Sequence, residues 1–93
     1  MKRGKTIMAI NKSSGIIELD IHGLNKHQAK IYLDSRLKQA AADVYIIRVV
    51  HGYHGGTELR EMIRKEYKHN PKVKRVQKSL NPGVTELILR ELF

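Results

Sequence analysis

Hydrophobic and polar residues alternate strictly from residue 17 to residue 22, so that Ile17, Leu19 and Ile21 share one face and charged residues lie between them. This period of two predicts a half-buried β-strand. Further stretches rich in β-branched and aliphatic residues indicate three more strands, the last two joined by a turn at residues 81–83. The four predicted strands cover residues 16–21, 44–50, 73–78 and 84–89.

Two segments repeat hydrophobic residues at helical spacing. The first begins after Asn25, an N-cap whose capping-box partner is Gln28, and is expected to extend to residue 41. The second begins after Thr57 as its N-cap and ends before the Asn70-Pro71 pair. The apolar stripes are Ala29, Leu33, Leu37 and Ala40 in the first helix, and Leu59, Met62, Ile63 and Tyr67 in the second.

The element order β-α-β-α-β-β predicts the architecture. A strand–helix–strand unit requires a parallel, right-handed crossover, whereas a tight turn joins the last two strands antiparallel. We therefore expect an α/β two-layer sandwich, a four-stranded mixed sheet with both helices on one face. A single folded domain is expected at residues 15–93, after a basic N-terminal arm at residues 1–14. The small apolar patch of that arm is compatible with either a short edge strand or a frayed end.

The charge balance of the chain points to a polyanionic partner. The 93 residues include 18 Lys and Arg against nine Asp and Glu, a net charge of +9. Such a surface attracts DNA or RNA before other partners. The absence of cysteine excludes a disulfide scaffold, a thiolate zinc site and a cysteine nucleophile. No apolar run is long enough for a signal peptide or a membrane helix, so we expect a cytoplasmic protein with no membrane partner.

Four ionisable side chains are predicted to meet at one edge of the sheet. Asp20 and His22 end the first strand on the same face, while His51 and His54 follow the second strand. Because ligands bind outside the carboxyl ends of parallel strands, we expect a common site there. Imidazole and carboxylate groups suit zinc or manganese, but their spacing is not that of a compact metal motif. A site without a cofactor is therefore favoured, with a divalent metal as the alternative.

A glycine-rich loop and a basic run favour contacts with phosphate. The loop leads into a helix N-terminus, where free amides attract anions. Its candidate phosphate-binding residues are Gly52, Tyr53, His54, Gly55, Gly56 and Thr57. Residues 60–78 then contain eight Lys or Arg and only two Glu. Arg60, Arg64 and Lys68 follow each other at every fourth position on one helix stripe and, with Arg75, are expected to contact a nucleic-acid backbone.

Three stretches resemble the motifs of Smr (small MutS-related) domains, as a small stand-alone form. Residues 19–24 read LDIHGL and resemble the LDxHG motif, residues 51–60 resemble the glycine-loop motif, and residues 83–85 resemble a third motif. The resemblance implies a fold like the C-terminal domain of translation initiation factor three. It also implies nucleic-acid binding and, in several members, endonuclease activity on DNA or on messenger RNA at stalled ribosomes. By motif position, the resemblance assigns Asp20 and His22 to the first motif, and His51, Gly52 and Arg60 to the second.

These features give two functional hypotheses. The first is a small endonuclease that cleaves or nicks RNA or DNA, with His22 and His51 as base and acid and Asp20 orienting an imidazole. The sequence departs from the family at Tyr53 and His54, where Lys or Arg and then Gly are common. That departure favours the alternative, a non-catalytic module that binds nucleic acid or the ribosome.

Overall fold

A computed structural model describes residues 11–13, 15–52 and 57–91. None of the helices in these ranges is long and apolar enough to cross a membrane. The strands are β1 (Asn11–Ser13), β2 (Ile16–Asp20), β3 (Ile46–Val50), β4 (Arg75–Lys78) and β5 (Val84–Ile88). The helices are α1 (Lys26–Gln39) and α2 (Thr57–Glu66), and α2 continues into a 3₁₀ turn at Tyr67–His69.

The strands form one mixed sheet in the order β1-β2-β3-β5-β4. β2 and β3 pair in parallel, and the β1–β2, β3–β5 and β4–β5 pairs are antiparallel. The α/β architecture, the four predicted strands and their mixed pairing are thus confirmed. A fifth strand is added because Asn11–Ser13, within the predicted arm, pairs with the start of β2. The apolar patch at residues 7–10 lies outside the described residues.

Both helices lie on the same face of the sheet. α1 connects the parallel strands β2 and β3, and α2 connects β3 to β4, which is also parallel to β3 because β5 runs antiparallel to both. Two right-handed crossovers that move the same way across a sheet place their helices on one side. The buried Tyr67 joins the two helices, since its hydroxyl donates to Asp34 Oδ1 at 2.6 Å.

Because successive side chains of each strand point to opposite sides, the sheet has one face covered by the helices and one open face. On β2, the buried side chains are Ile17 and Leu19, as predicted from the alternation, and on β3 they are Ile47 and Val49, each 1% exposed or less. The open face presents polar groups at the register where Glu18, Arg48, Glu86 and Gln77 lie side by side. The covered face therefore contains the core, and the open face remains hydrophilic at its centre.

The helix ends agree with the predicted caps to within two residues. Asn25 and Gln28 form the predicted capping box, with Asn25 Oδ1 accepting from Gln28 N at 2.8 Å and Gln28 Oε1 accepting from Asn25 N at 3.1 Å. α1 ends at Gln39, two residues earlier than expected, and Lys72 Nζ donates to a carbonyl of its last turn at 3.2 Å. Thr57 is the first residue of α2 instead of the residue before it.

Candidate active edge and basic groove

Three loops meet at one edge of the sheet, which we call the active edge. β2 and β3 end there, and the antiparallel β5 begins there. The backbone amides of His51 and Gly52 both donate to the Gly83 carbonyl, at 2.9 and 3.0 Å. Gly52 has a φ of 85°, and a Cβ built on it would lie 3.6 Å from the Cβ of His22. The segments of the three motifs are thus in direct contact, and Gly52 lies between the other two.

Asp20 and His22 form an exposed pair at the active edge. Asp20 Oδ1 accepts a hydrogen bond from the backbone amide of His22 at 3.1 Å and also contacts Nδ1 of its ring. The side chain of His22 is 69% exposed and that of Asp20 is 39% exposed. A carboxylate at Nδ1 favours the tautomer with the proton on that nitrogen, which leaves Nε2 to exchange a proton with a ligand.

His51 lies at the same edge but on the covered face. Its position continues the parity of Ile47 and Val49, so its ring points toward the helix layer and is 2% exposed. Nδ1 lies 3.1 Å from the Gly52 carbonyl oxygen, and Nε2 lies 2.9 Å from Thr85 Oγ1. Because a carbonyl only accepts, Nδ1 donates to Gly52 and the Thr85 hydroxyl donates to Nε2.

The surroundings of His51 keep its ring neutral. Burial lowers the pKa of His51 below its ordinary value, and the positive charges of Arg60 and Arg64 lower this pKa further, against the opposing hydrogen bond to Gly52. With both ring nitrogens engaged, His51 is placed to hold the loop that begins at Gly52. The acid–base role predicted for it requires an accessible ring nitrogen, which this arrangement does not provide.

Arg60 and Arg64 bring positive charge close to the active edge, as expected from the stripe on α2. Both act electrostatically on the buried ring of His51. Arg60 also approaches Glu61, at 3.8 Å between Nη2 and Oε2. Among the described residues, neither Nε–H finds a hydrogen-bond acceptor, so both guanidinium groups retain unused donor capacity.

A groove of about 430 Å³, which we call the basic groove, lies between α2 and β4. Its lining consists of Arg64, Lys68, Lys74, Arg75, Val76 and Lys78. Every one of these lining residues except Val76 is a cation, and no acidic residue among those that the structure describes lines the groove. The cations come from α2 with its 3₁₀ turn and from the segment around β4, which follows it in the chain, so the helix stripe and the basic strand form one surface.

The other side of α2 has a different character. A groove of about 450 Å³ there is lined by Lys26, Glu58, Glu61, Met62, Lys65 and Glu66. This lining has three acidic residues and two lysines, so its charges largely offset each other. The two faces of α2 therefore differ in charge. The face toward β4 carries cations, and the face toward α1 carries both acidic and basic residues.

Arg75, like Arg60, is a predicted phosphate contact that lies against an acidic side chain. Its Nε lies 3.1 Å and its Nη2 3.4 Å from the two carboxylate oxygens of Glu91, and its Nη1 contacts Gln77. This pairing lowers the pKa of Glu91. Arg75 thus lines the basic groove, but its charge is already paired with that of Glu91.

The sequence left a divalent metal as an alternative, and the described ranges contain no cluster of side chains that could hold one. No group of three or more His, Asp or Glu side chains gathers there to hold an ion. Asp20 and His22 face away from the buried ring of His51. The predicted loop residues Tyr53, His54, Gly55 and Gly56, and the side chain of Thr57, lie outside the described residues.

The comparisons with known proteins agree with the motifs and the fold. The family model for the Smr domain matches residues 19–85. The chain belongs to the Smr domain family. Among solved structures, the Smr domain of MutS2 from Thermus thermophilus is similar, with a TM-score of 0.71 and 29% identity, covering 80% of this chain and 98% of that one. No curated protein matches the chain significantly. The resemblance seen in the sequence is thus confirmed, and Smr domains are nucleic-acid-binding and nuclease-type domains.

Sequence reasoning did not single out three residues that the structure places in these sites, although two of them belong to the basic run of residues 60–78. Thr85 binds His51, and Lys74 and Lys78 line the basic groove. In each case, the alternation of side chains between the two faces of a strand contains a signal that could have identified the residue. Thr85 is a polar residue on the same strand face as the apolar Leu87, which indicates a buried hydrogen bond. The lysines at positions 74 and 78 share the parity of Val76, which packs toward the helix layer.

Proposed function

We propose that this Smr domain is a small endonuclease that cleaves or nicks RNA or DNA, with His22 as its acid–base group. The observation that carries the proposal is the exposed imidazole of His22, bound by Asp20 and adjacent to Gly52 where the three motif segments meet. Membership of the Smr family supports nucleic acid as the substrate.

Phosphodiester cleavage needs a group that moves a proton and positive charge that stabilises the phosphate as it becomes five-coordinate. Nε2 of His22 would accept the proton of the nucleophile, a 2′-hydroxyl in RNA or a water molecule in DNA, as its oxygen bonds to phosphorus. The bond from phosphorus to the leaving oxygen then breaks, and that oxygen takes a proton from solvent water. The carboxylate of Asp20 stabilises the imidazolium that results. Arg60 and Arg64 supply positive charge next to the edge. His51 and Thr85 act by holding the Gly52 loop in place.

The test compares two exposed histidines. His22→Ala is expected to lower the cleavage rate by at least about 100-fold, the lower end of what acid–base catalysis contributes. His27→Ala changes another exposed histidine, on α1, and is expected to leave the rate unchanged. The substrates are labelled single-stranded RNA, an RNA hairpin and supercoiled plasmid, each with and without EDTA. Equal rates for the two variants would remove His22 from the chemistry.

A second candidate is a module that binds nucleic acid or the ribosome without cleaving. It is supported by the buried state of His51, which leaves one accessible histidine among the described residues of the active edge. The departure at Tyr53 and His54 from the family's loop also supports it. A mobility shift with all three substrates, and no products with or without EDTA, would select this function over cleavage.

A further inference from the structure

We propose that the basic groove binds the sugar-phosphate backbone of one single strand that leads away from the active edge. The domain would then recognise nucleic acid with a single-stranded flank of about three to four nucleotides on one side of the reacting bond. This inference rests on the proposed function for the position of the reacting bond, and the groove itself is defined independently by α2 and β4.

The groove starts beside the active edge and extends away from it. α2 begins at that edge, because it follows the loop after β3, and Arg60 in its second turn acts on His51. β4 is parallel to β3, so Lys78 lies at the edge and Lys74 lies at the far end. Eight residues from Arg60 to Lys68 span about 12 Å of helix. A stacked strand rises about 3.4 Å per nucleotide, so this length corresponds to about three to four nucleotides.

The charges in the groove are available to a ligand. Lys68, Lys74 and Lys78 are exposed, and none of them forms an ion pair within the part of the chain that the structure describes. Glu91 is the acid near this end of β4, where it binds Arg75 and is also influenced by Lys74. The lining thus presents three lysines that can each contact a phosphate.

The shape and lining favour a single backbone over a duplex or over stacked bases. A concave groove of about 430 Å³ admits one sugar-phosphate backbone, whereas a duplex would rest on its rim. Within the ranges that the structure describes, no aromatic side chain lines it, so the described lining offers bases no surface on which to stack. Contacts of lysine with phosphate do not read sequence, and the groove would therefore position the strand without specifying it.

The experiment measures binding of fluorescent hairpins that have tails of zero, two, four or eight nucleotides at either end. Tails of dT and of U distinguish DNA from RNA, and a duplex extension of equal length replaces the tail in a third set. His22→Ala protein is used so that the probes are not cut. We expect affinity to rise at least about tenfold as one tail lengthens to four nucleotides, and then to level off.

The groove variant is Lys74→Gln/Lys78→Gln, and its matched control is Lys38→Gln/Lys65→Gln, which removes two exposed lysines outside the groove. The groove variant should lose the gain from the tail and flatten the salt dependence of tail binding by about 1.4 in log–log slope, at about 0.7 per phosphate contact. The two variants should bind the hairpin without a tail equally, and each more weakly than the parent because each loses two positive charges.

Every other outcome of these binding measurements contradicts a specific part of the proposal. An unchanged gain in the groove variant, or an equal loss in the control, would overturn the groove assignment. An equal gain from the duplex extension would overturn the single-strand preference, and a gain from U but not dT tails would overturn a contact made only with phosphate. Binding of every hairpin without dependence on the tail would overturn the groove and leave the proposed function intact. Failure to bind any probe would overturn both.

Discussion

His22 and His51 lie at the same edge of one sheet, on either side of Gly52, and they differ in almost every property that matters for chemistry. His22 is mostly exposed and contacts a carboxylate, whereas His51 is 2% exposed and has a hydrogen bond at each ring nitrogen. The first is arranged to exchange a proton with a bound molecule. The second is arranged to stay neutral and to hold the backbone that begins the glycine loop.

The difference arises from strand parity. His51 follows β3 at a position in step with Ile47 and Val49, whose side chains face the helices. Asp20 lies on the opposite parity of β2, and the chain leaves the sheet immediately after it, so His22 is released to solvent. Two histidines in different motifs thus acquire different roles because their strands direct them to opposite faces of the sheet. The two roles can be tested separately, one by stability and the other by activity.

The largest expected difference in stability comes from truncating the two rings. His51→Ala should lower the free energy of unfolding by about 2–3 kcal/mol, because it leaves a buried hydroxyl and a buried carbonyl without their partner and opens a void. His22→Ala should change this free energy by no more than about 0.5 kcal/mol, as expected for an exposed side chain. Urea denaturation of both variants measures the difference.

Thr85 provides the control for this interpretation. Thr85→Val keeps the volume but removes the donor to Nε2 of His51, and should cost about 1–2 kcal/mol. Thr85→Ser keeps the donor and should be more stable than the valine variant. If serine and valine are equally destabilising, the hydroxyl contributes nothing and His51 is buried by packing alone.

A smaller effect is expected in the pH dependence of stability. Burial holds the pKa of folded His51 below the value of about 6.5 that the residue has when unfolded. Between these two pKa values the unfolded chain binds a proton that the folded protein does not bind. Stability should therefore fall as the pH drops through 6.5, by at most about 1.4 kcal/mol per pH unit for this one group.

The measurement is the free energy of unfolding from pH 8 to pH 5, for the parent protein and His51→Gln. The variant should show a shallower loss below pH 6.5, whereas His27→Gln should follow the parent. An unchanged slope in His51→Gln would mean that His51 takes up a proton without loss of its contacts, which contradicts a ring kept neutral.

Much of the fold could be predicted from the sequence because its signals are local. Alternation gave the buried face of β2, and the Asn25–Gln28 capping box gave the start of α1. β1 is a strand only through its pairing with β2, and three residues do not reveal such pairing in advance. The convergence of the motifs followed from the order of strands and helices, since strand–helix–strand units fix which ends meet.

The candidate site was less predictable where it depends on tertiary contacts. A motif marks His51 but does not tell whether its ring points into the core or into solvent. The basic run likewise did not reveal that Glu91, 16 residues along the chain, would engage Arg75 while Lys74 and Lys78 stay available. Both facts depend on side chains brought together from distant segments, which local patterns do not specify.

The most direct test of the account is single-turnover cleavage of labelled RNA by His22→Gln and His51→Gln, at a temperature where circular dichroism shows both to be folded. We predict that His22→Gln loses at least about 100-fold in cleavage rate while its affinity for the RNA stays within about twofold. We predict that His51→Gln retains the rate within about tenfold, its loss reflecting a less well held loop. Loss of cleavage in His51→Gln together with a normal rate in His22→Gln would contradict the assignment of the exposed histidine to chemistry and the buried one to support.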